Sequence, residues 1–174
     1  MSKITVRRIQ PNDMDLWFTM RIESLNESPS AFLASPKKEL SQGADFFRAR
    51  IVEGGDNNVI FGCFDGEILA GSVGLVREGH QKASHKAFIW GMYVRPDYRG
   101  RMIGKQLLQS VIEFAVNTMK VKQINLSVES SREPAKKLYS SMGFKKWGTE
   151  QNAMHVDGKY YDEDYMALSL SAGD

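Results

Sequence analysis

The sequence predicts an α/β fold, one mixed β-sheet with helices on both faces. Three observations predict it. Strand-like and helix-like segments follow one another in the order β-α-α-β-β-β-α-β-α-β-β. The segment 87–94 (AFIWGMYV) carries no charge, as a central strand buried on both faces would. It is joined to the next strand-like segment through a long amphipathic helix, the connection that parallel neighbours require. The chain has 174 residues, and at roughly 150 residues per domain one domain spanning 1–174 is expected. No linker divides it.

Each element has its own signal. Residues 4–9 (ITVRRI) alternate as a strand does. Asn12 followed three residues on by Asp15 resembles a helix start, and Leu16, Met20 and Ile22 continue an apolar stripe that fades near Glu27, before Pro29. Ser35-Pro36 opens a second helix, a cap followed by proline at the first helical position. It runs to about Glu53 in two pieces, interrupted at Gly43. Segments 58–64 and 67–76 flank Asp65-Gly66 and form a hairpin. Polar residues 77–85 make a loop. After the 87–94 strand, Ile103, Leu107, Val111 and Phe114 recur at helical spacing over about 102–119. A strand at 122–128 and a helix at 133–142 follow, the helix stopping at Gly143. Strands at about 144–151 and 160–169 close the chain, with Asp157-Gly158 near their turn.

Composition excludes several function classes. Lys plus Arg number 23 and Asp plus Glu 21, a net charge of +2. That is no basic coat for nucleic acid, and no nucleic-acid partner is expected. No run of eighteen apolar residues exists, so no membrane span is expected. The start MSKITVRRIQPNDMD has no apolar core of a signal peptide, and a cytoplasmic location is the expectation. The single cysteine, Cys63, reads as a small buried hydrophobe rather than a catalytic thiol. His80, His85 and His155 show no ligand spacing, so no metal is expected.

The informative segment is Val94 to Leu108, VRPDYRGRMIGKQLL. It reads as a strand, a tight basic turn and a helix. Gly100 and Gly104 let the backbone turn sharply or approach a ligand closely. The first turn of a helix leaves amide hydrogens unpaired at the positive end of its dipole, and such amides bind phosphate. Arg99, Arg101 and Lys105 add charge, so a diphosphate is a natural guest. The P-loop pattern does not fit, because Gly100 to Gly104 is one residue short and Gln106 stands where a magnesium-binding hydroxyl belongs. The dinucleotide pattern G-x-G-x-x-G is absent.

The turn resembles the acetyl-coenzyme A signature of the GNAT N-acetyltransferase superfamily, Q/R-x-x-G-x-G/A, which lands on Arg99, Met102 and Gly104 with Met102 at the first glycine place. Downstream, VESSREPAKKLYSSMGF resembles the family's fourth-helix region, with Ala135, Leu138, Tyr139, Gly143 and Phe144 at matching spacings and Arg132 where the family often has asparagine. The resemblance implies a three-layer fold with a mostly antiparallel sheet, one parallel pair of which splays to receive acetyl-coenzyme A. It implies that Met92, Val94, Arg99, Gly100, Arg101, Met102, Ile103, Gly104, Lys105 and Arg132 bind that co-substrate. It further implies that the Met92 amide is an oxyanion donor and that Tyr139 protonates the departing thiolate; Gly91, a glycine inside the central strand, fits either a local bulge or a gap in packing beside Trp90.

The general base stays open. Ser127 stands where many relatives have glutamate, which leaves Glu129 or a water chain to a backbone carbonyl. Glu129 reads as an exposed strand-end charge, and Glu78, His80 and His85 as solvated loop residues. The acidic trio Asp162, Glu163 and Asp164 reads as a solvated turn able to attract a cationic amine. Arg21 reads as an exposed helical charge that could instead meet an acceptor carboxylate. Trp17, Trp90 and Trp147 read as packing residues, Trp90 with the option of lining the acceptor groove. The expected activity is acetyl transfer to a primary amine, whether metabolite, polyamine, antibiotic or peptide, in a ternary complex, by a monomer or homodimer. The alternatives are a non-catalytic acyl-coenzyme A sensor and a phosphate-binding scaffold.

Overall fold

The computed structural model describes residues 3–170. Among these residues one sheet holds seven strands: β1 (Ile4–Arg8), β2 (Asn58–Asp65), β3 (Ile68–Arg77), β4 (Lys86–Val94), β5 (Gln123–Glu129), β6 (Lys145–Val156) and β7 (Lys159–Ser169). They lie in the order β1-β2-β3-β4-β5-β7-β6. Only β4 and β5 run parallel; the other neighbours are antiparallel. Helices α1 (Met14–Glu27) and α2 (Pro36–Gly54) cover one face, and α3 (Ile103–Phe114) and α4 (Glu133–Ser141) the other. This is the mixed α/β architecture that the segment order predicts.

Local chemistry explains most boundaries. The Ser35 side chain accepts a hydrogen bond from the Lys38 amide, with Pro36 at the first helical position. Gly43 breaks α2 with φ +76°. The β2–β3 hairpin turns through Gly66-Glu67, one residue later than expected. Asp157 and Gly158 both take positive φ, the pattern of a two-residue hairpin turn. Gly143, at φ +96°, follows α4 as expected.

Three expectations need correction. The buried stripe of α1 is Met14, Trp17, Met20, Arg21, Ser24 and Leu25, not Leu16 and Ile22. Trp17 sets that phase, because its indole N–H reaches buried Ser72 at 3.2 Å and orients the helix accordingly. The 102–119 helix is α3 followed by a wider turn, Ala115–Met119. Strand β6 extends to Val156 because irregularities at Gly148 and before Met154 let it stay paired with β7.

Two apolar clusters hold the layers together. Met14, Trp17, Met20, Ile60 and Leu69 pack beneath α1 and α2. Leu107, Leu108 and Val111 of α3 are fully buried against Val73, Leu75 and Leu126. Each such side chain contributes about 1.5–3 kcal/mol through burial. Trp90 lies directly across Gly74, its strand partner, and stands edge-on to Trp17 at 6.0 Å. A Cβ at position 74 would come within 2.2 Å of the Trp90 ring. Gly74→Val is therefore expected to lower unfolding stability by about 1–3 kcal/mol in urea denaturation, with loss of the near-ultraviolet tryptophan signal that reports the Trp17–Trp90 contact.

Candidate active site

The site begins where two strands part. Strands β4 and β5 pair at only three positions, Lys86–Gln123, Ala87–Ile124 and Phe88–Asn125. Beyond them β5 stays with β7 as far as Glu129. Strand β4 bends away, because two of its residues, Gly91 and Met92, occupy the register space that Val73 fills alone on β3. Gly91 has φ +61°, a left-handed conformation that suits glycine in a bulge. Of the two readings of Gly91, the bulge is therefore the one present.

A gap opens between the strands, lined by Gly91, Met92, Leu126, Ser127, Leu138 and Tyr139 among others. The Arg95 amide donates to Ala70 on the β3 side at 2.8 Å. Alternation along the strand then turns the backbone of Val94 and Met92 toward the gap.

At the end of β4 lies the basic turn. The amides of Tyr98 and Arg99 are used by the carbonyls of Arg95 and Pro96. The next six, Gly100 through Lys105, have no hydrogen-bond acceptor among the described residues, and the Gln106 amide is the first to bond, to Met102. Met102 precedes α3 in a left-handed conformation, φ +61°, with its side chain exposed and offering no cap. An N-terminus closed by Ser, Thr or Asp would have satisfied these donors internally. Here they stay available, at the positive end of a helix dipole. Gly104 lets this end of α3 sit close, since a Cβ there would meet Leu138 at 2.9 Å and Met92 at 3.2 Å. Ile103 is buried and anchors the first turn.

The turn's charges divide into two groups. The Arg99 guanidinium donates to Glu27 of α1 and to the Val94 carbonyl, so it braces the turn. Arg95 pairs likewise with Glu23 at 3.0 Å. Arg101 lies over the Tyr98 ring at 5.0 Å, and Lys105 is exposed and makes no ion pair among the described residues. The free positive charge beside the amides is thus that of Arg101 and Lys105.

On the far wall, α4 carries Tyr139 into the gap. Its ring stands edge-on to Phe144 at 6.0 Å. Burial pushes its phenol up to about 12, so it holds its proton throughout the neutral range. One turn earlier, Lys136 reaches Asp164 of β7 at 3.0 Å, and Lys146 of β6 reaches the same carboxylate at 3.0 Å. Asp164 is 1% exposed. Burial opposes its ionisation, yet hydrogen bonds from Ser130, Thr149, Lys136 and Lys146 outweigh that and hold its carboxyl well below the usual carboxylate range.

The acidic trio 162–164 is therefore strand, not solvated turn, with Asp164 tying α4 to the sheet. Glu129 is also buried, at 5% exposure, rather than an exposed strand-end charge. It accepts hydrogen bonds from the Ser131 amide at 3.0 Å and hydroxyl at 2.7 Å. Arg132 lies beside it and donates to Ser30 at 3.2 Å, closing the gap on the α1–α2 side.

A second, wider cleft of about 730 Å³ joins the gap at Gly91 and Ser127. Arg21, Lys38 and Arg50 lie along one wall, Ser127, Glu163 and Tyr165 along the other, and Phe32, Phe46, Phe47 and Trp90 between. Arg21 is buried, against expectation, and ion-paired with Glu39. Burial raises the Glu163 carboxyl above its ordinary value; a Ser127 hydrogen bond opposes the rise and the Glu150 and Glu129 carboxylates add to it. Glu129, Glu163 and Glu150 are direct partners across β5, β7 and β6. The sequence reads Glu163 only as part of a solvated acidic turn able to attract a cationic amine; in the structure it lies on β7 and lines the cleft.

Glu78, His80 and His85 lie at or before the start of β4, six or more residues and roughly 20 Å along the strand from Met92. Trp147 is 67% exposed and stacks on Tyr165 instead of packing in a core. Cys63 is fully buried, and burial raises its thiol, as suits an inert core residue.

Two strands splayed over a run of free helix-capping amides, with a buried tyrosine opposite, are what an acyl-coenzyme A site needs. The family model described as the acetyltransferase (GNAT) family matches residues 20–144. The chain belongs to the GNAT acetyltransferase family. Similar sequences include the L-amino acid N-acetyltransferase AaaT of Escherichia coli, 24% identical over 96% of this chain and 98% of that protein. Among solved structures, yncA from Salmonella typhimurium with its cofactor acetyl-CoA superposes with a TM-score of 0.87 at 16% identity, over 99% of this chain and 97% of that one. A chimera of the Vibrio cholerae spermidine N-acetyltransferase SpeG superposes with a TM-score of 0.72 at 17% identity, over 97% and 96%. This GNAT acetyltransferase thus shares its whole fold with acyltransferases, and acetyl-coenzyme A is its acyl donor. No helix among the described residues is long and apolar enough to cross a membrane.

Because the ionised Asp164 is favoured by folding, it contributes stability above the unfolded carboxylate value of about 3.9 and loses it as pH falls below that. The thermal midpoint is expected to fall progressively from roughly pH 5 downward, and to go on falling below about pH 3. Asp164→Asn should be less stable at neutral pH and show a flatter acid limb, measured by circular dichroism melts.

Proposed function

We propose that this GNAT acetyltransferase moves the acetyl group of acetyl-coenzyme A directly to a primary amine, with both substrates bound at once. The observation that carries this reading is the run of unpaired amides from Gly100 to Lys105 at the mouth of the β4–β5 gap. Those amides, with Arg101 and Lys105, fit a diphosphate, and the unpaired edge of β4 at Met92 and Val94 fits an extended amide-bearing arm. Acetyl-coenzyme A supplies the activated thioester there.

Each of the chain's groups then has a task. The Met92 amide donates to the carbonyl oxygen as negative charge develops on it. The Tyr139 hydroxyl, kept neutral by burial, gives its proton to the departing sulfur. Glu163, on the acceptor side of the gap beside Ser127, takes the proton of the attacking amine, directly or through water. A carboxylate whose affinity for protons is raised by burial and two neighbouring carboxylates suits that task better than Glu129, whose oxygens are occupied by Ser131. Arg132 closes the gap near the arm. The chain acts as one domain in this reading.

The names of the similar proteins point to different amines, L-amino acids for one and spermidine for another. The test is release of free coenzyme A thiol over a panel of amines with acetyl-coenzyme A. A sensor would bind acetyl-coenzyme A and release no thiol with any of them. Tyr139→Phe is expected to lower kcat by about 100-fold while calorimetry shows acetyl-coenzyme A affinity changed by less than about 2-fold; unchanged turnover removes Tyr139 from the chemistry. Glu163→Gln is expected to lower kcat/KM by a similar factor of about 100 and to abolish the rising acid limb of its pH profile. That limb reflects loss of a proton from Glu163, which faces Ser127 and Glu129 on β5, Glu150 on β6 and Tyr165 on its own strand.

A further inference from the structure

The acceptor cleft holds a buried cation with one side left over. Arg21 is 8% exposed. Its Nε and Nη2 donate to the two oxygens of Glu39 at 2.9 Å each, which fixes the plane of the guanidinium. Its Nη1 is buried and has no hydrogen-bond partner. The guanidinium lies over the rings of Phe32 at 5.2 Å and Trp90 at 5.8 Å, which hold it in place without satisfying the remaining donor. A buried charged donor without an acceptor is costly, so a retained one points to a ligand that completes it.

The direction of the free edge is set by Gly91. A Cβ there would stand 3.4 Å from Nη1, so the glycine lies next to the free nitrogen and leaves the space beside it open. Glu39 balances the charge of Arg21, so the net positive charge of that wall comes from Lys38 and Arg50, and Glu163 stands on the other. The cleft is therefore dipolar, with apolar rings between its poles.

Resting on the acetyl-transfer reading, we infer that Arg21 Nη1 binds a carboxylate on the acceptor, and that the acceptor is a free α-amino acid with an apolar or aromatic side chain. The spacing selects the α position. Gly91, beside Nη1, is the immediate neighbour of Met92, whose amide faces the acetyl carbonyl; their Cα atoms are about 3.8 Å apart. That neighbourhood favours an acceptor in which few bonds separate the anionic group from the reacting nitrogen. A polyamine has no carboxylate. A peptide α-amine has its nearest carbonyl tied up in an amide. A lysine side chain places its nitrogen five bonds beyond its own Cα.

The test compares kcat/KM for L-phenylalanine and L-methionine with that for their carboxamides and for spermidine, read by thiol release. The acids are expected to exceed the carboxamides by roughly 10- to 100-fold, the worth of a hydrogen bond to a charged group. Because removing Arg21 alone strands Glu39, the paired change Arg21→Met with Glu39→Met is used, and its fold is checked by circular dichroism. In that variant the acids' advantage should shrink to within about 2-fold; if it does not fold, the ratio in the unaltered protein decides. Equal rates for acids and carboxamides, or a preference that survives in the folded double variant, would overturn the carboxylate subsite and leave acetyl transfer standing. Turnover of no amine, in protein that binds acetyl-coenzyme A by calorimetry, would overturn the transfer reading and this inference with it.

Discussion

Three residue pairs are all that join β4 to β5. The gap between these strands, and the cleft that joins it, follow from that short seam. A parallel pair that stayed zipped would satisfy its own backbone and leave no room for a ligand. Here β7 holds β5 straight while the extra residue at Gly91–Met92 bends β4 away, so two rows of backbone face each other across empty space. The proposed site of the acyl donor lies in that space, and a second, wider cleft joins it at Gly91 and Ser127. Gly91 serves both: its left-handed backbone makes the bulge, and its missing side chain leaves room beside the buried Arg21 Nη1.

The unpaired positive charges around the turn before α3 are fewer than the sequence suggests. Arg95 and Arg99 are committed to Glu23 and Glu27, which fastens α1 to the turn. Surface pairs of this kind are worth at most about 1 kcal/mol each in stability. Their value is geometric, because they fix where α3 starts. In the proposed reading the grip on a diphosphate falls to neutral amides, which need no counter-ion and cannot be neutralised by a neighbouring carboxylate. Asp164 plays the equivalent part on the opposite wall. It fixes α4, and through it Tyr139, by gathering two lysines onto one buried carboxylate.

Much of this was legible in the sequence because its causes are local. The succession of elements, the split at Gly43, the bulge at Gly91 and the amide-rich turn each rest on a few consecutive residues whose conformational limits are known. What escaped was the fate of individual charges. Arg21, Glu129 and Asp164 read as solvated because charged residues usually are, and each is buried. Their partners, Glu39, Ser131 and the lysines at 136 and 146, lie on other elements or across a turn, and no periodicity reports such pairings. The phase of α1 was misread for the same reason, since Trp17 takes its direction from Ser72 on β3. Glu163 reads in sequence as one of a solvated acidic trio because the cleft it faces exists only once β4 and β5 have parted.

The central claim is that the free amides at the start of α3 and the unpaired edge of β4 receive one ligand together. Amide-resolved nuclear magnetic resonance tests it most directly, by titrating coenzyme A into isotopically labelled protein. The account predicts that the amide signals of Gly100 to Lys105 move, together with those of Met92 and Val94, at one common affinity. Coenzyme A that bound while leaving those signals in place, or that did not bind at all, would contradict it.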